Sequence, residues 1–593
     1  MLFGLRLTLC SLLAVSGVAN PTPQAVDDAR CIDCHPLETK GWRAGGMAHA
    51  LGPIEPGEFE GLGTVVEAGT GFSYRFEEGG GAARLLESYV REGAQPKQSN
   101  SWPVAFAIGA GELDRSYALE VDRRWWYAPL EVLAGKSSEA VLAPPHTMSP
   151  GSRASLPVTP ECLACHTDNL PPMGYPLNRS VDARVWEPRG ISCGACHADA
   201  LAHADWREDD LSGEELAGGD PLLSHDSFTR EQRMSTCASC HLQGDARIEL
   251  EPNRFGIPRA GNDVLEQRAI FVAAKPGPEV GFVSQVERLV LSRCYLEPTE
   301  AEGAMSCETC HNPHQSVFVE RERRRVRAAC VNCHATGNGA ASAAAMHCAL
   351  PVSDRPDDRD CVDCHMPKVP VFDVDAVRIH DHWIRTEPQA PEVAQSLRAD
   401  ESPAGDWKRF LWPGVDPPAH ANDPGLDMLA LFARGHVEAA QALIDSKPGS
   451  RTVRLPMYHH VRAGLLEQLG RIQEAHGAYR VALALDPTLA PATTNLGLLL
   501  TGIGRGGEAI ELLSKLLEGS PGLDGALRNR ALAHASVGDM NSFARDLEEA
   551  FRLRPVGSIA QALAQHFEGL GETSRAARWR AAAQRTDPRI KQD

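Results

Sequence analysis

Beyond its first twenty residues the sequence holds no run of about 18 or more apolar residues, the length a helix needs to cross a bilayer. Positive charge is also in short supply. With 59 Lys and Arg against 78 Asp and Glu, the formal net charge is -19, which argues against nucleic acid and anionic membrane surfaces as partners and suits basic ones. Histidine is scarce, with 22 in 593 residues, so its placement carries information. A hydrophobic fraction of 43% with 23% charge excludes a disordered chain and describes ordinary globular material, long enough for several domains.

The amino terminus is the one apolar exception. Met1 to Arg6 forms a short basic start and Leu7 to Ala19 an apolar run ending in small residues, the pattern of a secretory signal peptide over residues 1–19. The expectation is a mature chain with no transmembrane segment, exported to the periplasm or the extracellular space. Cys10 lies inside the apolar run rather than at its end, which fits lipid attachment poorly.

Cysteine is plentiful, at 17 residues, and 14 of them fall into seven pairs of one form. These are Cys31 and Cys34 before His35, Cys162 and Cys165 before His166, Cys193 and Cys196 before His197, and Cys237 and Cys240 before His241. Three more follow: Cys307 and Cys310 before His311, Cys330 and Cys333 before His334, and Cys361 and Cys364 before His365. Two thiols three positions apart can each add to one vinyl group of a single haem, and the next residue then faces the iron. Zinc knuckles, dithiol redox sites and disulfides do not require a His after every pair. The pattern therefore predicts seven haem c groups, with those fourteen cysteines as thioether attachments and the seven following histidines as proximal iron ligands.

Distal ligands are not fixed by spacing. Eight further histidines precede residue 400: His49, His146, His203, His225, His314, His347, His380 and His382. His314 lies three residues after His311 and His203 six after His197, offsets that put each beside one haem but aim it at a neighbour. His380 and His382, in IHDHWI, close the region where a segment can fold back over an earlier iron. Met47, Met148 and Met346 are alternative axial donors. Cys294 and Cys348, outside the pairs, are expected to form a disulfide closing a loop of roughly 55 residues, worth about 4 kcal/mol on the chain-entropy model.

The strings CHNPH at Cys310–His314, CVDCHMPK at Cys361–Lys368, CHLQGDARI at Cys240–Ile248, IGAGELDRSYALEV at Ile108–Val121, SPGS at Ser149–Ser152 and GISCGACH at Gly190–His197 resemble a known bacterial group. It is that of exported multihaem cytochromes c with a tetratricopeptide tail, whose haem part is similar to the tetrahaem cytochromes of ammonia oxidation. The resemblance spans Cys31 to about Arg385 and implies electron transfer, mostly with two His per iron. The chain departs from the pattern at Gly45 and Gly46 before Met47 and in lacking His at some second-ligand places, which leaves one or two irons with an open or non-His site.

Residues 20–386 are thus read as a seven-haem cytochrome c domain of short helices and loops organised by haems. It holds a small β-rich insertion at about 55–145, where GFSYRFEE, SWPVAFAIG and RSYALEVDRRWWYAPLEVL alternate apolar and polar residues. A Pro-rich linker spans 387–420. From 421 to 593 Leu and Ala recur at helical period, with Gly470, Gly504, Gly538 and Gly571 spaced by 34, 34 and 33 residues and Pro487, Pro521, Pro555 and Pro588 by the same steps. That is the register of an all-α tetratricopeptide-repeat solenoid, with a degenerate earlier unit around Gly435. The tail is read as a surface for protein docking or self-assembly, or as a buttress over haem edges.

The favoured function is electron transfer with redox protein partners and no nucleic acid. The alternative is an oxidoreductase acting on a small nitrogen or sulfur compound at one open-coordinate haem, with the first motif as the best candidate. No pair is followed by Lys, which argues against the nitrite reductase pattern that uses Lys at its catalytic iron.

Overall fold

The computed structural model describes residues 28–587 except 91–96, 135–138, 149, 172, 213–218, 251–256, 276, 278–279, 298–303, 337–360, 372, 375–376 and 387–406. The expected signal segment, Met346, His347, Cys348 and Pro588 lie outside the described residues. Among those described, no helix is long and apolar enough to cross a membrane.

The first motif sits in a turn ahead of α1 (Pro36–Arg43). The alternating stretches then form one nine-stranded antiparallel sheet: β1 (Leu51–Gly52), β2 (Val65–Val66), β3 (Phe72–Gly79), β4 (Ala82–Tyr89), β5 (Lys97–Ile108), β6 (Asp114–Val121), β7 (Arg124–Tyr127), β8 (Leu130–Leu133) and β9 (Glu139–Leu142). Along β3, Phe72, Tyr74 and Phe76 point inward while Arg75 and Glu77 face out, the two-residue period of a half-buried strand. Phe59 stacks on Phe76 with ring centres 4.1 Å apart and meets Tyr117 edge-on. The turn from β3 to β4 places Gly80 and Gly81 at φ 63° and 81°, the left-handed pair that a tight hairpin between right-twisted strands requires. Trp125 packs with Phe106 and Trp186, so this aromatic is core.

Helices α2 (Pro144–Met148), α3 (Pro160–Leu163), α4 (Ala200–Ser212), α5 (Arg230–His241), α6 (Gln285–Leu289), α7 (Arg293–Leu296), α8 (Cys307–Cys310), α9 (Glu320–Thr336) and α10 (Cys361–His365) follow. They are joined by loops and by two small sheets, β10 (Ala246–Glu249) with β11 (Arg268–Ala273), and β12 (Lys368–Pro370) with β13 (Arg378–His380).

The linker reading needs correction at its end. Trp407–Arg409 forms β14, which pairs with β11. Phe410 and Trp412 are buried in the core around Val264 and Leu289, Trp412 Nε1 donates to Asp263 at 2.9 Å, and His420 Nε2 donates to the Leu265 carbonyl at 2.7 Å. Two aromatic side chains and a cation held by Asp427 at 2.9 Å, Arg409, make this stretch part of the packed body.

The tail folds as five helical pairs: α11 (Pro424–Ala433) with α12 (Val437–Ala442), α13 (Pro456–Gln468) with α14 (Ile472–Leu485), α15 (Ala490–Gly502) with α16 (Gly506–Gly519), α17 (Asp524–Ser536) with α18 (Met540–Leu553), and α19 (Gly557–Gly569) with α20 (Thr573–Thr586). Gly435, Gly470, Gly504, Gly538 and Gly571 occupy the turn inside each pair at φ between 72° and 83°, a conformation costly to side chains with a Cβ. Pro487, Pro521 and Pro555 each come two residues after a second helix ends.

Among the described residues, the solenoid is joined to the rest in two regions. Its first helices share one core with Ala246, Ile248 and Phe271 of the β10–β11 sheet. Farther along, Arg124 pairs with Asp524 at 2.9 Å and donates to the Gly522 carbonyl. Arg153 donates to the Thr586 carbonyl at 2.5 Å, and Arg554 lies 5.3 Å over the Trp126 ring.

Candidate haem-binding site

Short helices carry most of the pairs, and helical spacing explains the arrangement. Residues three apart share one face of a helix, so α8 and α10 each present two thiols side by side, while α5 and α9 end in Cys-x-x-Cys-His. A capping box at Thr229 and Gln232 starts α5, and another at Ser306 and Thr309 starts α8, fixing where each thiol pair emerges.

These helices surround one continuous cavity of about 3780 Å³. A small-molecule site usually holds roughly 300–1,000 Å³, so this volume suits several large groups. Residues from all seven pairs line it, the second pair through Cys165. Thiols of different pairs meet there: Cys31 contacts Cys193, Cys165 contacts Cys240, and Cys237 contacts Cys307. No group of three or more His, Cys, Asp or Glu among the described residues could hold a bare metal ion. The donor set instead suits irons already held in a macrocycle, each needing two protein ligands at most.

Three histidine ring pairs, the third being His197 with His225 at 5.7 Å, have the spacing that ligands on opposite faces of one iron would need. Metal–imidazole bonds of about 2.0–2.1 Å on either side of a metal put two ring centres about 6 Å apart. His197 and His314 stand 5.9 Å apart with planes 4° from parallel, and His311 and His382 stand 6.3 Å apart. Burial, with help from neighbouring His225 and His314, holds His197 down to about 4. Burial and His311 hold His382 down to about 4, and burial also lowers His311 and His314. All four therefore present neutral imidazole, the form that ligates.

Residues 300–339 match the model of the doubled CXXCH motif. That span holds the fifth and sixth pairs and carries covalent attachment of c-type haem to this part of the chain. None of the curated proteins matches. Among solved structures, MamA from Desulfovibrio magneticus RS-1 is 19% identical and covers 29% of this chain and 100% of its own, with a TM-score of 0.26. The tetratricopeptide-repeat protein TTC0263 of Thermus thermophilus is 21% identical and covers 28% of this chain and 91% of its own, with a TM-score of 0.24.

The distal candidates separate by their surroundings. His314, His203, His380 and His382 face the cavity. His203 Nδ1 lies 2.8 Å from Asp220, His380 Nδ1 2.7 Å from the Met366 carbonyl and His382 Nδ1 2.9 Å from the His380 carbonyl. Each Nδ1–H is thereby spent on an acceptor, which leaves Nε2 as the ligating nitrogen. His225 also faces the cavity, yet its two nitrogens lie 3.2 Å from Glu308 and 3.2 Å from the Cys196 carbonyl, and Glu308 raises its pKa. To ligate an iron, His225 would have to give up one of these two contacts. His146 is misplaced as a ligand candidate: it is buried at the end of the β-rich part, its Nε2 donates to the Arg153 carbonyl at 2.7 Å, and it does not line the cavity. His49 is exposed, off the cavity, with Nε2 on the Arg43 carbonyl at 2.7 Å. His347 and Cys348, named in the ligand and disulfide readings, lie outside the described residues. Cys294 lines the cavity, 3.8 Å from the Met305 sulfur.

The first motif is less isolated than its sequence surroundings suggest. Arg30 binds Asp205 and Glu208 of α4, each at 2.8 Å, which brings the helix of His203 beside Cys31 and His35. His35 is close enough to His197 and His314 to lower both.

Sequence reasoning missed the groups that orient the proximal rings. His365 Nδ1 lies 2.6 Å from the Arg385 carbonyl, His166 Nδ1 3.1 Å from that of Ala50, and His241 Nδ1 3.3 Å from Gln285. Two of the three acceptors are backbone carbonyls, which no side-chain pattern marks.

Proposed function

We propose that this chain is an exported electron carrier holding seven covalently bound c-type haems in one cavity, with a repeat domain that serves protein docking or assembly. The observation that carries the reading is the single cavity into which residues of all seven pairs turn. The fourteen cysteines would hold the haems by thioether bonds and the seven following histidines would take the proximal positions. Bound haem supplies reversible one-electron chemistry. The protein's part is to set neutral imidazoles at the irons, to bury them, and to keep neighbouring attachment points in contact, as at Cys31 and Cys193 or Cys165 and Cys240. Proteins that exchange electrons with it are expected to be basic, given the charge of -19. The likeness to the tetrahaem cytochromes of ammonia oxidation agrees with this reading and rests on the sequence strings. A coulometric titration tests it: about seven electrons should be taken up per chain, and uptake of one or two would contradict it.

One observation favours a second reading, an oxidoreductase for a small nitrogen or sulfur compound. Of the eight distal candidates, His49, His146 and His225 are engaged elsewhere, which leaves five for seven irons. Met47 lines the cavity and can supply one more donor. Carbon monoxide binding to the reduced protein supports an open iron; a spectrum unchanged by carbon monoxide removes this reading.

A further inference from the structure

The segment that carries His380 and His382 is held by a buried ion cluster. Asp381, between them, is fully buried and accepts from Arg288 Nε at 2.9 Å and Nη2 at 2.6 Å, from Arg385 Nη2 at 2.8 Å, and from the Trp383 backbone N–H at 3.0 Å. The two guanidinium groups lie over the Trp383 ring, 5.2 Å and 4.5 Å from its centre. Arg288 comes from α6, more than ninety residues earlier in the chain, and its Nη1 donates to the Gly277 carbonyl at 3.0 Å. Ser292, also fully buried, donates to the His382 carbonyl at 3.3 Å and accepts from the Ile384 N–H at 2.8 Å. The backbone on both sides of His382 is thus fixed to the α6–α7 region as well as to its own neighbours in sequence.

We propose that Arg288, Asp381 and Arg385 are positioning residues that hold the His382 ring facing His311, so that the iron of a haem joined to Cys307 and Cys310 would have two imidazole ligands. The inference rests on the haem reading above. A carboxylate buried with two cations is expensive to assemble, and a nearby apolar filling would stabilise the fold as well. A bidentate fork adds what apolar packing lacks, a fixed direction. That direction is transmitted to His382 through one peptide unit, and its ring is steered further by the Nδ1 bond to the His380 carbonyl.

The test compares Asp381→Asn, His382→Ala and the parent chain, each isolated with its haems. Haem content per chain, by pyridine haemochrome, is expected to stay at the parent value in all three; a low parent value counts against the haem reading and the inference with it, whereas unchanged signals at full haem content count against the positioning inference alone. Carbon monoxide uptake by the reduced protein is expected to rise by about one equivalent per chain in His382→Ala, and by a substantial fraction of that in Asp381→Asn, with loss of one low-spin signal in the electron paramagnetic resonance spectrum. If Asp381→Asn does not accumulate, Arg385→Gln, which leaves the Arg288 fork in place, should give the same change in smaller degree. Uptake and low-spin signals equal to those of the parent in whichever of the two variants folds would overturn the proposal.

Discussion

On the proposed reading, a histidine's role would be set by what its second nitrogen meets. Where Nδ1 donates to a carbonyl or carboxylate, as at His203, His380 and His382, Nε2 is free to serve an iron; where Nε2 is spent on a carbonyl, as at His49 and His146, the ring would serve structure. His314→Ala is therefore expected to change the spectrum of one haem and leave haem content unchanged, whereas His146→Gln should leave the haem spectrum untouched. His460 shows the same logic away from the cavity. Burial holds it down to about 4, below the ordinary value of 6.5, so the unfolded chain binds the extra proton between those two pH values. Stability from this group is full above about pH 6.5 and is lost as pH falls towards 4. Denaturation midpoints at pH 7.5 and pH 5 should differ less in His460→Leu than in the parent, and an equal difference would show that His460 is not the group responsible.

At the scale of elements, what the sequence made legible was periodicity and covalent spacing. The 34-residue recurrence of glycine marks turns that fold at positive φ, and the alternation from Gly71 to Leu133 marks strands that pair as one sheet. Gly504→Ala should cost about 1–2 kcal/mol, since nothing lies within 4 Å of an added Cβ and the backbone alone resists; a thermal melt within error of the parent would contradict this. The pairs were legible because chemistry fixes their internal spacing. Their partners were not, because ring-to-ring apposition such as His311 with His382 joins residues about seventy apart and leaves no periodic trace. The junction at 407–420 was misread for a related reason: six prolines from Pro388 to Pro418 suggested a spacer, while the few residues that decide its place, Trp407, Phe410 and Trp412, act through burial against distant strands.

For the molecule as a whole, the solenoid is anchored rather than tethered. A shared core fixes its first repeat to the β10–β11 sheet, and Asp524 draws Arg124, Arg528 and Arg554 to the start of the fourth pair. Arg124→Ala leaves Asp524 with weaker partners at a largely buried contact and is expected to cost about 3–5 kcal/mol, seen as earlier proteolysis of the tail and faster hydrogen exchange in α17; unchanged exchange there would show that the contact contributes little. This anchoring leaves the repeat domain able to act both as a buttress and as a docking surface. Every functional statement about the molecule depends on seven haems being bound by thioether links along residues 31–365. The deciding measurement is the mass of the intact chain after unfolding and acid treatment that strips non-covalent haem. The expected result is a shift equal to seven haem groups, mapped by peptide analysis to the seven pairs; the mass of the bare polypeptide, or of a chain with one or two haems, would contradict it.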